Sequence, residues 1–451
     1  MSKGRKWLKP LVKVSLVIAI ILLLLIPLSM IRGLVKERRD LKTSTAELIT
    51  EEVGGELMLV GPILVLPYEY EEVKLSNGEE ETVKQRIEIH LIPETFTLRG
   101  RLEVEYRSLG IYRVPIFRAF IEGNGKFRRQ VSDLYPSDAV PLPKENQFVV
   151  GIAHMEGIRE ISNLQWGSRQ IDFRVNAENV AVGNGVSATV GEIAADDDAD
   201  GGVFFFDMEI RGGTKAVFVP LGRSTVFELS GDWPSPSFLE GLLPSELELD
   251  DEGFNANWKI PEVSRPIQQY WDSSEVKKTD FAMHGLGVKL LEFVESYKKI
   301  ERSIKYGLLF LLIPFVVFFL LETLARFRVH PMQYMMVGAA DVLFYLLLLA
   351  ISEHLGFDAA YLIAIVAVVL LISIYTHSIA HRATVNLEKI RSQFPAFAAY
   401  LAMPVGLGVS YFWLWLTLRS EDYALLLGSI GVFVILGILM LATRKIKWYS
   451  N

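Results

Sequence analysis

One charge, Asp341, interrupts a largely apolar run from Pro331 to Ile351. An ionised carboxylate in the middle of a bilayer costs at least ~2.5 kcal/mol, so its presence has two readings. It marks a proton or ion pathway, or it is a carboxyl turned into a helix bundle, protonated or bonded to a neighbouring Tyr or Ser. Glu353 and His354 close the same run. A carboxylate beside an imidazole can do acid–base work or bind metal, but two groups alone make no site; capping of helix ends and contact with the domain between the helices is the other reading. His377 and His381 have the i, i+4 spacing of metal ligands, with no third ligand nearby in sequence, which leaves a helix-end pair.

The other candidates lie in the middle of the chain. Asp196, Asp198, Asp200, Gly201 and Asp207 fit the spacing of a twelve-residue calcium loop. The flanks are wrong for an EF-hand, since Phe204-Phe205-Phe206 reads as a strand, and a solvated acidic turn explains the run equally. Asp232-Trp233-Pro234 with Pro236 and Phe238 reads as an aromatic ligand platform or as a buried Trp at a strand exit. No nucleophile elbow, phosphate loop or oxidoreductase fingerprint occurs. No catalytic residue, metal or cofactor is therefore assigned, and a non-enzymatic role is expected.

The elements that must position these residues are membrane helices. A bilayer core of ~30 Å needs ~20 mostly apolar residues in a helix. The run Val329 to Phe357 supplies them, as do Val14–Ile31, Tyr306–Leu321, Ala359–Tyr375, Phe394–Leu418 and Tyr423–Ala442. The start resembles a signal peptide, but no small-x-small cleavage site follows it, which makes it an uncleaved anchor. Leu34, Leu41 and Leu48, spaced by sevens, suggest a helical stalk over Arg32 to Thr50.

Hydrophobic residues make up 51% of the 451 and charged ones 22%, and the two occupy different places. From Asp40 to Ile300 there are 26 Lys+Arg against 44 Asp+Glu, a net of −18; the rest holds 20 against 9, a net of +11, which together give the −7 of the chain. An acidic, water-exposed middle repels phosphates, so nucleic acid is excluded as its partner. The absence of cysteine excludes disulfides, thiolate catalysis and Cys-ligated zinc.

Within that middle, Arg86–Leu91, Arg101–Arg107 and Phe254–Ile260 alternate polar and apolar residues, the mark of antiparallel strands with one wet face. Ser76-Asn77-Gly78, Gly123-Asn124-Gly125, Gly183-Asn184-Gly185 and Gly212-Gly213 read as turns between strands, and Gly287–Lys305 as the next long helical stretch. The fold class is thus a mixed membrane protein: six transmembrane α-helices, one N-terminal and five C-terminal, with a large external all-β, sandwich-like domain between the first and second. The expected organisation is residues 1–31 for the cytoplasmic N-terminus and anchor, 32–305 for the β-rich domain with helical stalks, 306–443 for five helices, and 444–451 for a cytoplasmic tail.

Short loops set the orientation. A cytoplasmic N-terminus places thirteen basic residues on that side, among them Arg326, Arg328, Arg382, Lys389 and Arg391, against Arg419 alone in the opposite short loops. Both termini are then cytoplasmic. Arg32, Lys36, Arg38, Arg39 and the Lys298 cluster flank the outer side, where anionic lipid heads would attract them. Trp413, Trp415, Trp448 and Tyr449 suit an interfacial belt, and Ala398, Ala402 and Gly406 a close helix contact.

Several blocks resemble the CreD family of inner-membrane, cell-envelope integrity proteins. They include Leu59-Val60-Gly61-Pro62, Leu109-Gly110-Ile111-Tyr112, Gly231-Asp232-Trp233-Pro234, Phe319–Thr323, His330-Pro331-Met332-Gln333-Tyr334 and Ser352-Glu353-His354. Together they run from the first helix to the C-terminus. The resemblance implies an inner-membrane protein whose production is controlled by a two-component system and whose level affects envelope integrity and colicin tolerance. It implies no catalytic residues. Asp341 stands where that family would carry a small or apolar residue, so its role is not borrowed from it. The expected partners are the lipid bilayer and envelope proteins or cell-wall components, bound through the external domain. The alternative is a transporter or export component that uses Asp341.

Overall fold

The structure, a computed structural model, describes residues 5–76, 79–179, 183–193, 202–264, 267–273, 285–290, 295–324, 329–385, 396–420 and 423–444. The chain forms two compact units, Met1–Lys42 with Phe293–Asn451, and Thr43–Glu292.

The helical unit is built from α1 (Arg5–Glu52) as far as Lys42, α2 (Glu295–Leu324), α3 (Pro331–Leu355), α4 (Phe357–Val385), α5 (Ala396–Arg419) and α6 (Ala424–Thr443). Anchor and stalk are one continuous helix of 48 residues, about 72 Å long at the α-helical rise. Its buried stripe is Ile21, Leu24, Leu28, Ile31 and Val35, whose alternating steps of three and four keep one face on the bundle. The heptad Leu34, Leu41 and Leu48 points outward instead, at 41%, 45% and 54% exposure. Charged pairs, not those leucines, hold the polar part of α1: Arg39 donates to Glu301 at 3.2 Å, and Lys42 lies 5.6 Å above the Tyr297 ring.

Among the described residues four helices are long and apolar enough to cross a membrane: Ser15–Glu52, Ser296–Phe319, Pro331–Leu355 and Phe357–Ser378. The six expected spans are reduced to four by this measure. Both further helices form: α6 runs over 20 residues, Ala424–Thr443, about 30 Å at the α-helical rise, with several of its last side chains outside the described residues. Several side chains of α5 lie outside the described residues.

The start of α3 shows what the HPMQ block does. His330 is the N-cap: its Nδ1 accepts the Met332 N–H at 3.2 Å, while the His330 N–H donates to Gln333 Oε1 at 2.8 Å. Pro331 follows in the first turn, where a missing N–H costs nothing. Glu322 of α2 accepts from Tyr334 Oη at 3.3 Å and from the Val329 N–H at 3.2 Å. The FLLET and HPMQY blocks therefore form one joint between α2 and α3. His330→Ala should lower the melting midpoint of the detergent-solubilised protein, at a cost of about 1 kcal/mol, and His330→Asn should restore most of it. Equal midpoints for Ala and wild type would show that the cap contributes nothing.

In the second unit two sheets, of ten and nine strands among the described residues, face each other. The first centres on the 20-residue strand Leu57–Ser76, which pairs antiparallel with Glu79–Leu91 and Gln147–Ile152 and parallel with Lys215–Pro220. The second centres on the hairpin Thr95–Leu109 and Tyr112–Lys126, flanked by Val203–Gly212 and, in parallel, by Ser224–Gly231. Two parallel pairings thus stand in a sheet pattern that alternation alone predicts as antiparallel, because returning segments cross over and rejoin the sheets from the far side. Phe148, Val150 and Phe218 of one sheet pack with Leu98, Phe204, Phe206 and Trp258 of the other.

The first sheet is also buried on its outer face, where its own Val60, Ile63, Val65, Val149, Val217, Val219 and Trp271 form a second apolar cluster with Leu239 and Ile267 packed against it. That double burial explains why Leu57–Pro67 is a continuous apolar run. Leu286–Lys289 is a strand on Lys215–Pro220, so the helical stretch expected from Gly287 starts only at Glu295. The register of that pairing, Lys215 opposite Lys289, keeps Val288 and Leu286 in the core. The Gly-Asn-Gly runs are not turns either. Gly123 and Gly125 lie inside Tyr112–Lys126, and Gly183 and Gly185 inside Gly183–Thr189.

Candidate functional site

Asp341 is the eleventh residue of the 25 in α3 and is 1% exposed. Tyr411 of α5 donates its hydroxyl to Asp341 Oδ1, and Tyr361 of α4 donates to the Tyr411 carbonyl at 2.8 Å. Phe344 packs on the rings of Tyr345, Tyr361 and Tyr411 at 5.0, 5.4 and 4.6 Å. Asp341 Oδ2 and the Tyr345 hydroxyl, both buried, have no hydrogen-bond partner among the described residues. Three helices thus close over one carboxyl. Sequence reading finds Asp341 but not its tyrosines, because Tyr361 and Tyr411 sit in apolar runs where a phenol looks like core.

Glu353 and His354 do not form a pair. Consecutive helical residues are 100° apart, and the bundle takes only one of them. Glu353 accepts from Tyr297 Oη at 3.3 Å and lies 3.9 Å from Arg38 Nε, while His354 is exposed in the last turn. There a basic side chain complements the helix dipole. His377 is exposed on α4, and the side chain of His381 lies outside the described residues. Among the described residues no three His, Asp or Glu side chains are grouped to hold a metal.

The calcium-loop residues Asp196–Gly201 lie outside the described residues as well. Asp207, the closing member of that motif, is in the strand Val203–Gly212 and accepts from Ser162 Oγ at 2.7 Å. Trp233 is no platform. It is 4% exposed and donates to the Ser235 carbonyl at 3.0 Å, while Asp232 Oδ1 accepts the Val104 N–H at 2.6 Å. Phe238 packs edge-on against Phe254 and Trp258.

The β unit carries a surface cleft that motif reading misses. The short strand Tyr270–Asp272 pairs with Glu79–Leu91. On one side of it Tyr68, Pro136, Gln268, Tyr270 and Asp272 line a depression of about 470 Å3. Through Gln269 this adjoins a second depression of about 580 Å3 lined by Lys126, Arg128, Arg129, Arg223, Gln130 and Glu94. Asp133 orients Arg128 at 2.6 Å, and Glu262 orients Arg223 at 2.8 Å. Burial, with the charge of Asp272 second, pushes the Tyr68 phenol above its ordinary range, and burial does the same to Tyr135, so both stay hydroxyl donors at neutral pH. The run Lys126-Phe127-Arg128-Arg129 is the sequence signal for the basic end. Arg223 and Gln269 reach it only through the fold.

A bundle of long apolar helices with its outward faces hydrophobic, joined to a large two-sheet β unit, defines an integral membrane protein. The chain is similar to the inner membrane protein CreD of Escherichia coli K12, at 29% identity over 442 residues, 97% of this chain and 93% of that one. The family model described as inner membrane protein CreD matches residues 9–449. The chain belongs to the CreD family and is an inner membrane protein.

Proposed function

We propose that this is a non-enzymatic inner-membrane protein that contributes to cell envelope integrity and the stress response. Six helices cross the membrane, both termini are cytoplasmic, and the β unit lies in the periplasm, where it binds envelope components or partner proteins. The basic residues of the two termini and the short loops, thirteen on one side against one on the other, support this orientation. The observation that carries the binding reading is the contrast between the two sites. Asp341 is closed off inside the bundle, whereas the cleft beside Tyr270–Asp272 is open and lined by oriented polar groups.

A second reading, proton- or ion-coupled transport through Asp341, draws on the unpartnered Oδ2 and Tyr345 hydroxyl. Such groups are costly in a membrane unless something binds them. Asp341→Asn, Glu353→Gln and His354→Ala, each expressed in a deletion strain and scored for detergent sensitivity, separate the two. Rescue by all three is expected. Failure of Asp341→Asn alone, with normal protein levels, would replace the binding reading by transport.

A further inference from the structure

We infer that the cleft beside Tyr270–Asp272 binds an acidic glycan strand, with sugar acid groups at the Lys126–Arg223 end and a sugar ring against Tyr270. This deepens the reading that the β unit faces the envelope and rests on it. The charge distribution is the first support. Residues Thr43–Glu292 hold 23 Lys+Arg against 42 Asp+Glu, a net of −19. Within that acidic unit Lys126, Arg128, Arg129 and Arg223 gather around one depression with Glu94, and counting the rim partners Asp133 and Glu262 leaves four cations against three carboxylates, a local positive excess. A local excess of cations in a depression attracts an anion more than the mean charge of the surface would suggest. Arg128 and Arg223 are held in place by Asp133 and Glu262, so little side-chain entropy is lost on binding. Guanidinium groups suit carboxylates and phosphates alike.

The second support is the adjoining depression, which a simple anion does not need. Tyr270 is 48% exposed and offers a ring face to the C–H face of a sugar. Gln268, Gln269 and Asp272 supply the amide and carboxylate groups that hydroxyls pair with, and Tyr68 remains a donor. A metal ion would be repelled by the basic end.

The test uses the full chain in nanodiscs, titrated with soluble peptidoglycan glycan strands, which carry carboxylates, with neutral chitotetraose, and with inorganic phosphate. The glycan strands should bind about tenfold more tightly than chitotetraose, and Lys126→Glu with Arg128→Glu should remove about that factor. Tyr270→Ala should weaken both sugars and Tyr270→Phe neither, with near-ultraviolet circular dichroism checking that each variant is folded. No saturable binding, equal affinity for acidic and neutral sugars, or phosphate binding as tightly as the strands would each overturn the inference. A wild type that does not bind yet rescues the deletion strain removes this ligand and leaves the envelope reading standing. Binding in a protein whose deletion strain shows no envelope defect does the reverse.

Discussion

Gly125→Ala should be among the most damaging single-methyl additions in the β unit. Gly125 lies opposite Phe204 in the pairing of Tyr112–Lys126 with Val203–Gly212, and Gly123 lies opposite Phe206. A Cβ on Gly125 would overlap the Thr95 carbonyl and sit 2.8 Å from Phe204 Cζ; one on Gly123 would overlap the Phe206 ring. Backbone cannot yield as a ring can, so Gly125→Ala is the worse of the two. Overpacking costs ~1–3 kcal/mol where side chains can move. We expect about 2 kcal/mol for Gly123→Ala and about 3 kcal/mol or more for Gly125→Ala, read as the loss of the β unit's melting transition in the solubilised protein. Phe206→Leu should recover part of the Gly123→Ala loss, and nothing comparable should rescue Gly125→Ala. Had these glycines formed a solvated turn, alanine would be nearly neutral or stabilising. A neutral Gly125→Ala would restore that reading.

Asp341→Ala should destabilise the helical unit by about 2–3 kcal/mol. It strips the acceptor from the buried Tyr411 hydroxyl and leaves a space between α3 and α5. Tyr411→Phe should cost a similar amount, because Asp341 then has no donor on either oxygen. Removing both partners at once should cost less than the sum of the two, with a coupling of about 1–3 kcal/mol in a double-mutant cycle on melting midpoints. Additive losses would show that the hydrogen bond contributes nothing. The double variant Asp341→Leu, Tyr411→Phe also serves function. A stable but inactive protein would assign Asp341 to transport, whereas a stable and active one would confine it to packing.

Much of this was legible in the residues. Hydrophobic runs longer than a bilayer core predict helices whatever they pack against, so α2, α3 and α4 and the anchor end of α1 appear where the sequence places them. The alternation in Arg101–Arg107 and Phe254–Ile260 predicts strands because a half-wet sheet leaves a period of two. The HPMQ block encodes its own cap, since N-cap and N3 groups meet within one turn. Its meaning as a joint appears only once Glu322 is brought to Tyr334.

Other features depended on partners far away in sequence. Gly-Asn-Gly is a good turn signal until an aromatic ring from another strand takes the space of the missing Cβ. Leu34, Leu41 and Leu48 make a regular heptad, yet the bundle packs on the stripe one residue further on, through Leu28 and Val35. The basic end of the cleft joins a local run, Lys126 to Arg129, to Arg223 and Gln269, which only the strand crossings bring beside it.

Asp341 shows the division most plainly. Its burial in a membrane helix follows from the apolar residues around it, because a helix hydrogen-bonds its own backbone and needs no partner to be predicted. What satisfies its carboxyl comes from Tyr411, seventy residues later in the chain and on another helix. Side-chain pairing across helices is set by packing, which no local pattern carries, so the sequence determined where the charge lies and the tertiary structure decided what holds it.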